Sequence, residues 1–264
     1  MVRWCTTEGH TAIVIGGGSN LLVKDRGISG VVISLRRGLK AIKVAMDGKP
    51  PTVTAQAGVN LQSLCRFCAN QGLSGMNFAV GIPGTVGGAV MMNAGTQMGT
   101  MGDVIDSIGC LLWDGRTVRY ERRMLEFSYR RLSWKENQLA SFTEKPIVVD
   151  GCFRLKTSAA SMLRKEAENL LRMRTEKQPV DQPSAGCSFK NPIHGPAAGD
   201  LIDRCELKGC RIGNAQVSTK HANYIVNLGG ASARDILSLM ELVRGKVADQ
   251  FKVDLEPEVK IVGH

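Results

Sequence analysis

The chain has no run approaching the roughly 18 consecutive apolar residues of a membrane-spanning helix, which excludes a helical membrane protein. Residues 1–8 carry neither the basic start nor the apolar stretch of a secretory leader. Aromatic residues make up only 5% of the 264 positions. The basic run Arg119, Arg122, Arg123, Arg130 and Arg131 matches no nucleic-acid motif, which argues against a nucleic-acid binder. The one C-x-x-C, Cys65 and Cys68, lacks the second pair a zinc site needs, so no metal centre is expected. Leu61, Leu64, Cys65 and Cys68 instead share one helical face and read as small buried hydrophobes. Also missing is the third glycine of the dinucleotide fingerprint. After Gly16 and Gly18 the chain has Leu21, and Leu21-Leu22-Val23 reads as a strand where that motif requires a helix.

What is present describes a globular protein with room for two domains: 43% hydrophobic and 22% charged residues. Eight cysteines without close-set pairing fit reduced thiols of a cytoplasmic protein. A net charge of +10, spread along the chain, suits a small polyanionic substrate drawn in by long-range steering.

Two glycine-rich runs dominate. Residues 81–95, Gly-Ile-Pro-Gly-Thr-Val-Gly-Gly-Ala-Val-Met-Met-Asn-Ala-Gly, hold five glycines, too many for a good helix or a packed strand. Pro83 stiffens the loop and biases Ile82 toward extended backbone, so its N–H groups can form a fixed cradle for a phosphate or a flat ring. The second run, Gly16-Gly17-Gly18-Ser19-Asn20, joins two short apolar segments.

Strands are expected over 11–15, 30–35, 41–46 and 52–57, with a hairpin at Asp47-Gly48 and a helix from about Leu61. Strands over 104–113 and 116–120 flank a second hairpin signal, Asp114-Gly115. A strand over 146–155 precedes a helix over 158–177 with Leu163, Ala167, Leu170 and Leu171 on its apolar face, stopped by Pro179. The two prolines of 178–184 mark a boundary. Beyond it a short helix over 197–205, a strand over 224–228, a helix over 232–251 with Ser232 as N-cap, and a last strand over 258–262 are expected. The division is 1–177, 178–252, and 253–264 returning to the active site.

Three polar clusters could carry chemistry: 127–135 with paired cations beside aromatics, 185–192 with a thiol, a hydroxyl and a lysine, and 255–261 with two carboxylates. In order along the chain come Gly16-Gly-Gly-Ser-Asn-Leu-Leu, the 81–95 run, Tyr129-Arg130, Ala185-Gly-Cys-Ser-Phe-Lys-Asn-Pro, Gln216-Val-Ser-Thr-Lys-His-Ala-Asn-Tyr-Ile-Val-Asn, and Leu255-Glu-Pro-Glu-Val. In that order they resemble the UDP-N-acetylenolpyruvoylglucosamine reductase family, in its type II form, over nearly the whole chain.

The resemblance implies an α+β FAD-binding fold of the vanillyl-alcohol-oxidase kind with a smaller C-terminal substrate-binding domain. It implies FAD and NADPH as cofactors, and an enolpyruvyl UDP-sugar reduced to UDP-N-acetylmuramate for peptidoglycan. FAD would lie along Gly16, Gly17, Gly18, Ser19, Asn20 and Leu21, and along Gly81, Ile82, Pro83, Gly84, Thr85, Gly87, Gly88, Asn93, Ala94 and Gly95. By the same likeness Arg130 would stabilise the enolate-like charge left by hydride addition, and Glu258 would polarise the substrate carboxylate as a hydrogen-bonded or protonated acid. Tyr129, Lys177, Asn191 and His221 match substrate-contacting positions, though His221 reads equally as a packed or surface histidine. The expected partners are small molecules, with no nucleic acid and no membrane, acting on a monomer.

The chain departs from the family pattern twice. Where the family usually has a serine proton donor stands Cys187, whose ordinary thiol pKa of about 8.5 makes it a stronger acid than a hydroxyl. Ser188 should point the other way, since neighbours in extended backbone alternate sides. Only 15 residues precede Gly16, so a first strand and helix of the family are expected to be missing, exposing a sheet edge and weakening flavin affinity. Three other readings remain open: a different oxidoreductase on the same FAD scaffold, such as a sugar or lactone oxidase, a catalytically weak fragment of the reductase, and a non-catalytic basic protein that binds nucleic acid.

Overall fold

The structure, a computed structural model, describes residues 1–47, 50–135 and 145–264. It divides into two compact units, 1–17 with 30–171, and 18–29 with 172–264. The expected division ran along chain order, which cannot reveal that the short segment 18–29 packs with the C-terminal unit.

The first unit is built on a five-stranded antiparallel sheet in the order Thr117–Glu121, Ile105–Leu111, Ile147–Arg154, Thr52–Gln56, Ile42–Ala45. In Thr52–Gln56 the alternation is clean: Val53 and Ala55 face the core, and the polar residues between them face away. Ile105–Leu111 is buried nearly throughout because it has a strand on either side and gives Ile105, Ile108 and Cys110 to the core. The helix Leu61–Asn70, capped by Asn60, lays Leu61, Leu64, Cys65 and Cys68 into this core as expected. Burial pushes the Cys68 thiol up to about 12, and the Cys65 thiol donates to the Met76 carbonyl at 3.5 Å, so both behave as core groups. Ala12–Ile15 and Val31–Ser34 form a separate parallel pair.

The Asp114-Gly115 turn joins its two strands as expected, with Gly115 at φ +87°, a conformation that only glycine adopts cheaply. The strands flanking Asp47-Gly48 also pair antiparallel, but Gly48 lies outside the described residues.

Two expectations need correction, for the 81–95 run and for Leu171, and two short helices stand where none was expected. The 81–95 run contains a helix, Val86–Met91, despite Gly87 and Gly88. A Cβ on Gly87 would sit 2.7 Å from the Ala57 Cβ, so close packing against the sheet outweighs a propensity cost of about 1 kcal/mol per glycine. A helix, Val2–Thr7, stands at the start of the chain, where no periodic signal announced it. Arg3 Nε donates to the Asp114 carbonyl at 2.8 Å and Cys5 is buried. The strand expected from 104 begins at Ile105, after a one-turn helix, Met101–Val104, closed by a Thr100/Asp103 capping box. In the helix Ala160–Lys177 Leu163 is buried and Ala167 and Leu170 half-buried, whereas Leu171 is 51% exposed.

The second unit has a four-stranded antiparallel sheet in the order Ser184–Cys187, Tyr224–Asn227, Ala215–Val217, Arg211–Ile212. The helices Ala198–Arg204 and Ala233–Phe251 complete its core with Leu201, Ile202, Leu239, Val243 and Val247. Ser232 caps the long helix as expected, its hydroxyl accepting the Asp235 N–H at 3.0 Å while Asp235 accepts the Ser232 N–H at 3.0 Å. The last strand, Lys260–Val262, pairs in parallel with Leu21–Val23, Lys260 opposite Leu21.

Candidate functional site

In the first unit the two glycine runs meet. A Cβ on Gly17 would lie 2.7 Å from the Gly84 Cα, and one on Gly16 would lie 2.4 Å from the Thr85 Oγ1. No larger residue fits at either position without moving backbone or burying the threonine hydroxyl differently. Gln62 fixes the 81–84 turn from the neighbouring helix: its Oε1 accepts the Gly81 N–H at 2.7 Å and its Nε2 donates to the Ile82 carbonyl at 2.6 Å. The Leu61 N–H donates to the Gly84 carbonyl at 3.1 Å. Among the described residues, Thr85 Oγ1 is a buried side-chain oxygen with no hydrogen-bond partner. Such a group ordinarily costs about 1–3 kcal/mol, and a bound polar ligand would satisfy it.

Tyr129 and Arg130 occupy the turn of a hairpin formed by Leu125–Ser128 and Arg131–Trp134, where the sequence suggested only a polar cluster. Arg130 has φ +56°, strained for an arginine. Its guanidinium stands 4.9 Å from the Tyr129 ring centre, and its Nη1 is 3.5 Å from the Gly95 carbonyl, the last residue of the glycine run. Buried Asn93 ties the two segments together. Its Nδ2 donates to the Ser128 carbonyl at 2.9 Å and its Oδ1 accepts the Gly102 N–H at 2.9 Å. Asn93 itself is at φ +41°, a region asparagine enters more readily than most residues. Ala94 donates through its N–H to the Ala89 carbonyl, closing the helix into this turn.

In the second unit Cys187 ends its strand directly opposite Tyr224. Cross-strand neighbours of this kind have their side chains side by side. Burial, then Cys187, raises the Tyr224 pKa, with Glu258 adding to the rise and Arg174 opposing it. Cys187, Tyr224, Arg174 and Glu258 therefore share one neighbourhood. Glu258 is 8% exposed and is delivered by main-chain pairing: its N–H donates to the Ser188 carbonyl at 2.8 Å, and its carbonyl accepts from Asn20 Nδ2 at 3.2 Å. The Asn223 amide grips Phe189 from both sides, accepting its N–H at 3.0 Å and donating to its carbonyl at 2.8 Å, which fixes the strand carrying Cys187.

The remaining expected positions of this unit are more dispersed. Gly18 and Ser19 lead into Asn20 and Leu21, the latter in the strand beside Lys260. Lys177 is exposed at the last turn of its helix. Asn191 Oδ1 accepts the Ala198 N–H at 3.1 Å and so caps the helix Ala198–Arg204. His221 Nδ1 accepts the Asn223 N–H at 3.2 Å, and its ring meets Tyr224 edge-on at 5.0 Å. Burial lowers the His221 pKa, which keeps the ring neutral near pH 7. Tyr224 and Arg174 had not been singled out, whereas Thr85 was among the expected flavin contacts. Tyr224 lies inside a quoted motif, and its cross-strand position opposite Cys187 is the signal that identifies it.

Residues 1–121 match an FAD binding domain, and residues 178–262 match the C-terminal domain of UDP-N-acetylenolpyruvoylglucosamine reductase. Together with the fold, this defines an FAD-dependent oxidoreductase of α+β architecture with a smaller C-terminal α+β domain, as the resemblance implied. A UDP-N-acetylenolpyruvoylglucosamine reductase of Desulfosudis oleivorans is 49% identical over 100% of this chain and 84% of its own length. Another, from Syntrophobacter fumaroxidans, is 44% identical over 95% of this chain and 70% of its own. The crystal structure of the reductase (MurB) from Thermus caldophilus superposes with a TM-score of 0.79 at 34% identity, covering 98% of this chain and 89% of that one. The chain belongs to the UDP-N-acetylenolpyruvoylglucosamine reductase family.

Proposed function

We propose that this protein reduces the enolpyruvyl group of UDP-N-acetylenolpyruvoylglucosamine to give UDP-N-acetylmuramate for peptidoglycan, with NADPH as reductant, acting in the cytoplasm as a monomer. Family membership supports the reaction. The gathering of Cys187, Tyr224 and Glu258 in one unit supports the assignment of roles.

The residues present fit a flavin dinucleotide. Gly16 and Gly17 against Gly84 and Thr85 leave backbone bare where a Cβ would intrude, and Thr85 offers a buried hydroxyl in need of a partner. Residues 16–21 and 81–95 would hold the cofactor, backbone donors facing its pyrophosphate and rings. When bound, FAD supplies the chemistry of taking a hydride from NADPH and delivering it to the terminal carbon of the enolpyruvyl group.

The protein's own residues do the rest. Addition at that carbon leaves negative charge delocalised into the adjacent carboxylate, where the Arg130 guanidinium stabilises it and Glu258, as a protonated acid, donates a hydrogen bond to the carboxylate. Cys187 then gives its thiol proton to the carbon between ether oxygen and carboxylate. Tyr129, Lys177, Asn191 and His221 hold the UDP-sugar, lysine as a point charge and asparagine as an oriented donor. Cys187→Ala is expected to leave reduction of the flavin by NADPH unchanged and to slow its reoxidation by the enolpyruvyl substrate by about 100-fold or more, while Cys187→Ser keeps substantial activity. Stopped-flow absorbance separates the two half-reactions, and unimpaired turnover of the alanine variant would remove Cys187 from the mechanism.

A further inference from the structure

The proton-donating thiol has a neighbour that the reaction so far leaves without a task. Tyr224 is directly across the strand pair from Cys187 and half-buried, which places its side chain beside the thiol, and Cys187 acts on the phenol as a neighbour that raises its pKa. Two contacts hold the phenol where it is. Its ring packs edge-on against His221 at 5.0 Å and its backbone N–H donates to the His221 carbonyl at 3.0 Å. The ring therefore has a packing role that phenylalanine could fill, and the hydroxyl is an addition to it.

The energetics of proton donation give that hydroxyl a purpose. When the thiol releases its proton, charge builds on a sulfur that is itself only half exposed, and an O–H donor aimed at it lowers the cost of that charge. Burial raises the phenol's own pKa, so Tyr224 keeps its proton and remains a donor through the step. The Arg174 guanidinium favours negative charge in this neighbourhood, and the phenol is the neutral donor beside it.

We infer that Tyr224 is a positioning residue for the proton transfer, its hydroxyl orienting the Cys187 thiol and donating a hydrogen bond to the sulfur as the thiolate forms. The step balances simply. The S–H bond breaks with its electron pair staying on sulfur, the substrate carbanion's pair forms the new C–H bond, and solvent returns a proton to the thiolate. The inference rests on Cys187 being the donor proposed above.

A double-mutant cycle tests it. Tyr224→Phe keeps the ring, and is expected to leave flavin reduction by NADPH and the dissociation constant of the UDP-sugar unchanged. It should slow reoxidation by the substrate at least about tenfold, as loss of a hydrogen bond to a charged group does, and enlarge the solvent deuterium isotope effect on that phase. In the Cys187→Ala background the same change should cost nothing further, because the group it serves is gone. Wild-type reoxidation in Tyr224→Phe, or the same slowing with and without Cys187, would overturn the inference while leaving the donor assignment standing. Full activity of Cys187→Ala alone would instead overturn the donor assignment beneath it.

Discussion

Cys187 and Ser188 are adjacent in the chain but meet different surroundings. Ser188 is 6% exposed, with its N–H donating to the Asn223 carbonyl at 2.7 Å and its own carbonyl accepting from Glu258. Cys187 is half-buried beside Tyr224. Alternation of side chains, visible in the sequence, thus separates the two candidate donors. The identity of the partner across the sheet was not visible, because it depends on a register set 37 residues downstream. Asn93 is a second residue whose role emerges only in three dimensions. Replacing it with alanine removes one buried hydrogen bond, from the Gly102 N–H, and one half-buried hydrogen bond, to the Ser128 carbonyl. We expect a loss of about 2 kcal/mol, seen as a Tm lower by roughly 4–8 °C, together with weaker activity through the Arg130 hairpin. His221 gives a pH signature. Its folded pKa lies below the ordinary 6.5, so the folded state binds fewer protons than the unfolded chain as pH falls through that value. Stability contributed by the neutral ring is present above pH 6.5 and lost below it. Urea titrations on either side of that pH should show a smaller acid loss in His221→Gln than in the parent.

Among the elements, those with strong local signals were legible: the hairpin at Asp114-Gly115, the capped helix Ala233–Phe251, and the cysteine-bearing helix Leu61–Asn70. The helix Val86–Met91 was not, because its glycines lower local propensity while serving a tertiary contact that sequence does not reveal. The parallel pairing of Leu21–Val23 with Lys260–Val262 was equally hidden, joining segments from opposite ends of the chain. The glycine loops offer a direct check at this scale. Gly17→Ala would drive a Cβ to 2.7 Å from the Gly84 Cα, a backbone atom that cannot yield cheaply. The expected outcome is a folded protein with reduced flavin content on purification, destabilised by about 1–3 kcal/mol. An alanine variant that retains full flavin and full stability would show that the close approach of the two loops has no bearing on the cofactor.

At the scale of the whole molecule, the +10 charge sets a field that favours anions. The UDP-sugar, anionic at its diphosphate and its enolpyruvyl carboxylate, should be captured faster at low salt, and kcat/KM for it should fall as ionic strength rises toward values where the Debye length is about 8 Å. No described helix is long and apolar enough to cross a membrane. The proposed reaction has two halves, reduction of the flavin and reduction of the sugar, and the residues proposed for it are divided between the two units, Gly16, Gly17, residues 81–95 and Arg130 in one, Gly18, Cys187, Tyr224 and Glu258 in the other. Both halves can be read in one anaerobic experiment: the visible spectrum of the purified, FAD-loaded protein before and after NADPH, and again after the enolpyruvyl UDP-sugar. The prediction is that NADPH bleaches the flavin and that its colour returns only with the sugar. A flavin that stays bleached when the sugar is added, or a protein that takes up no flavin, would contradict it.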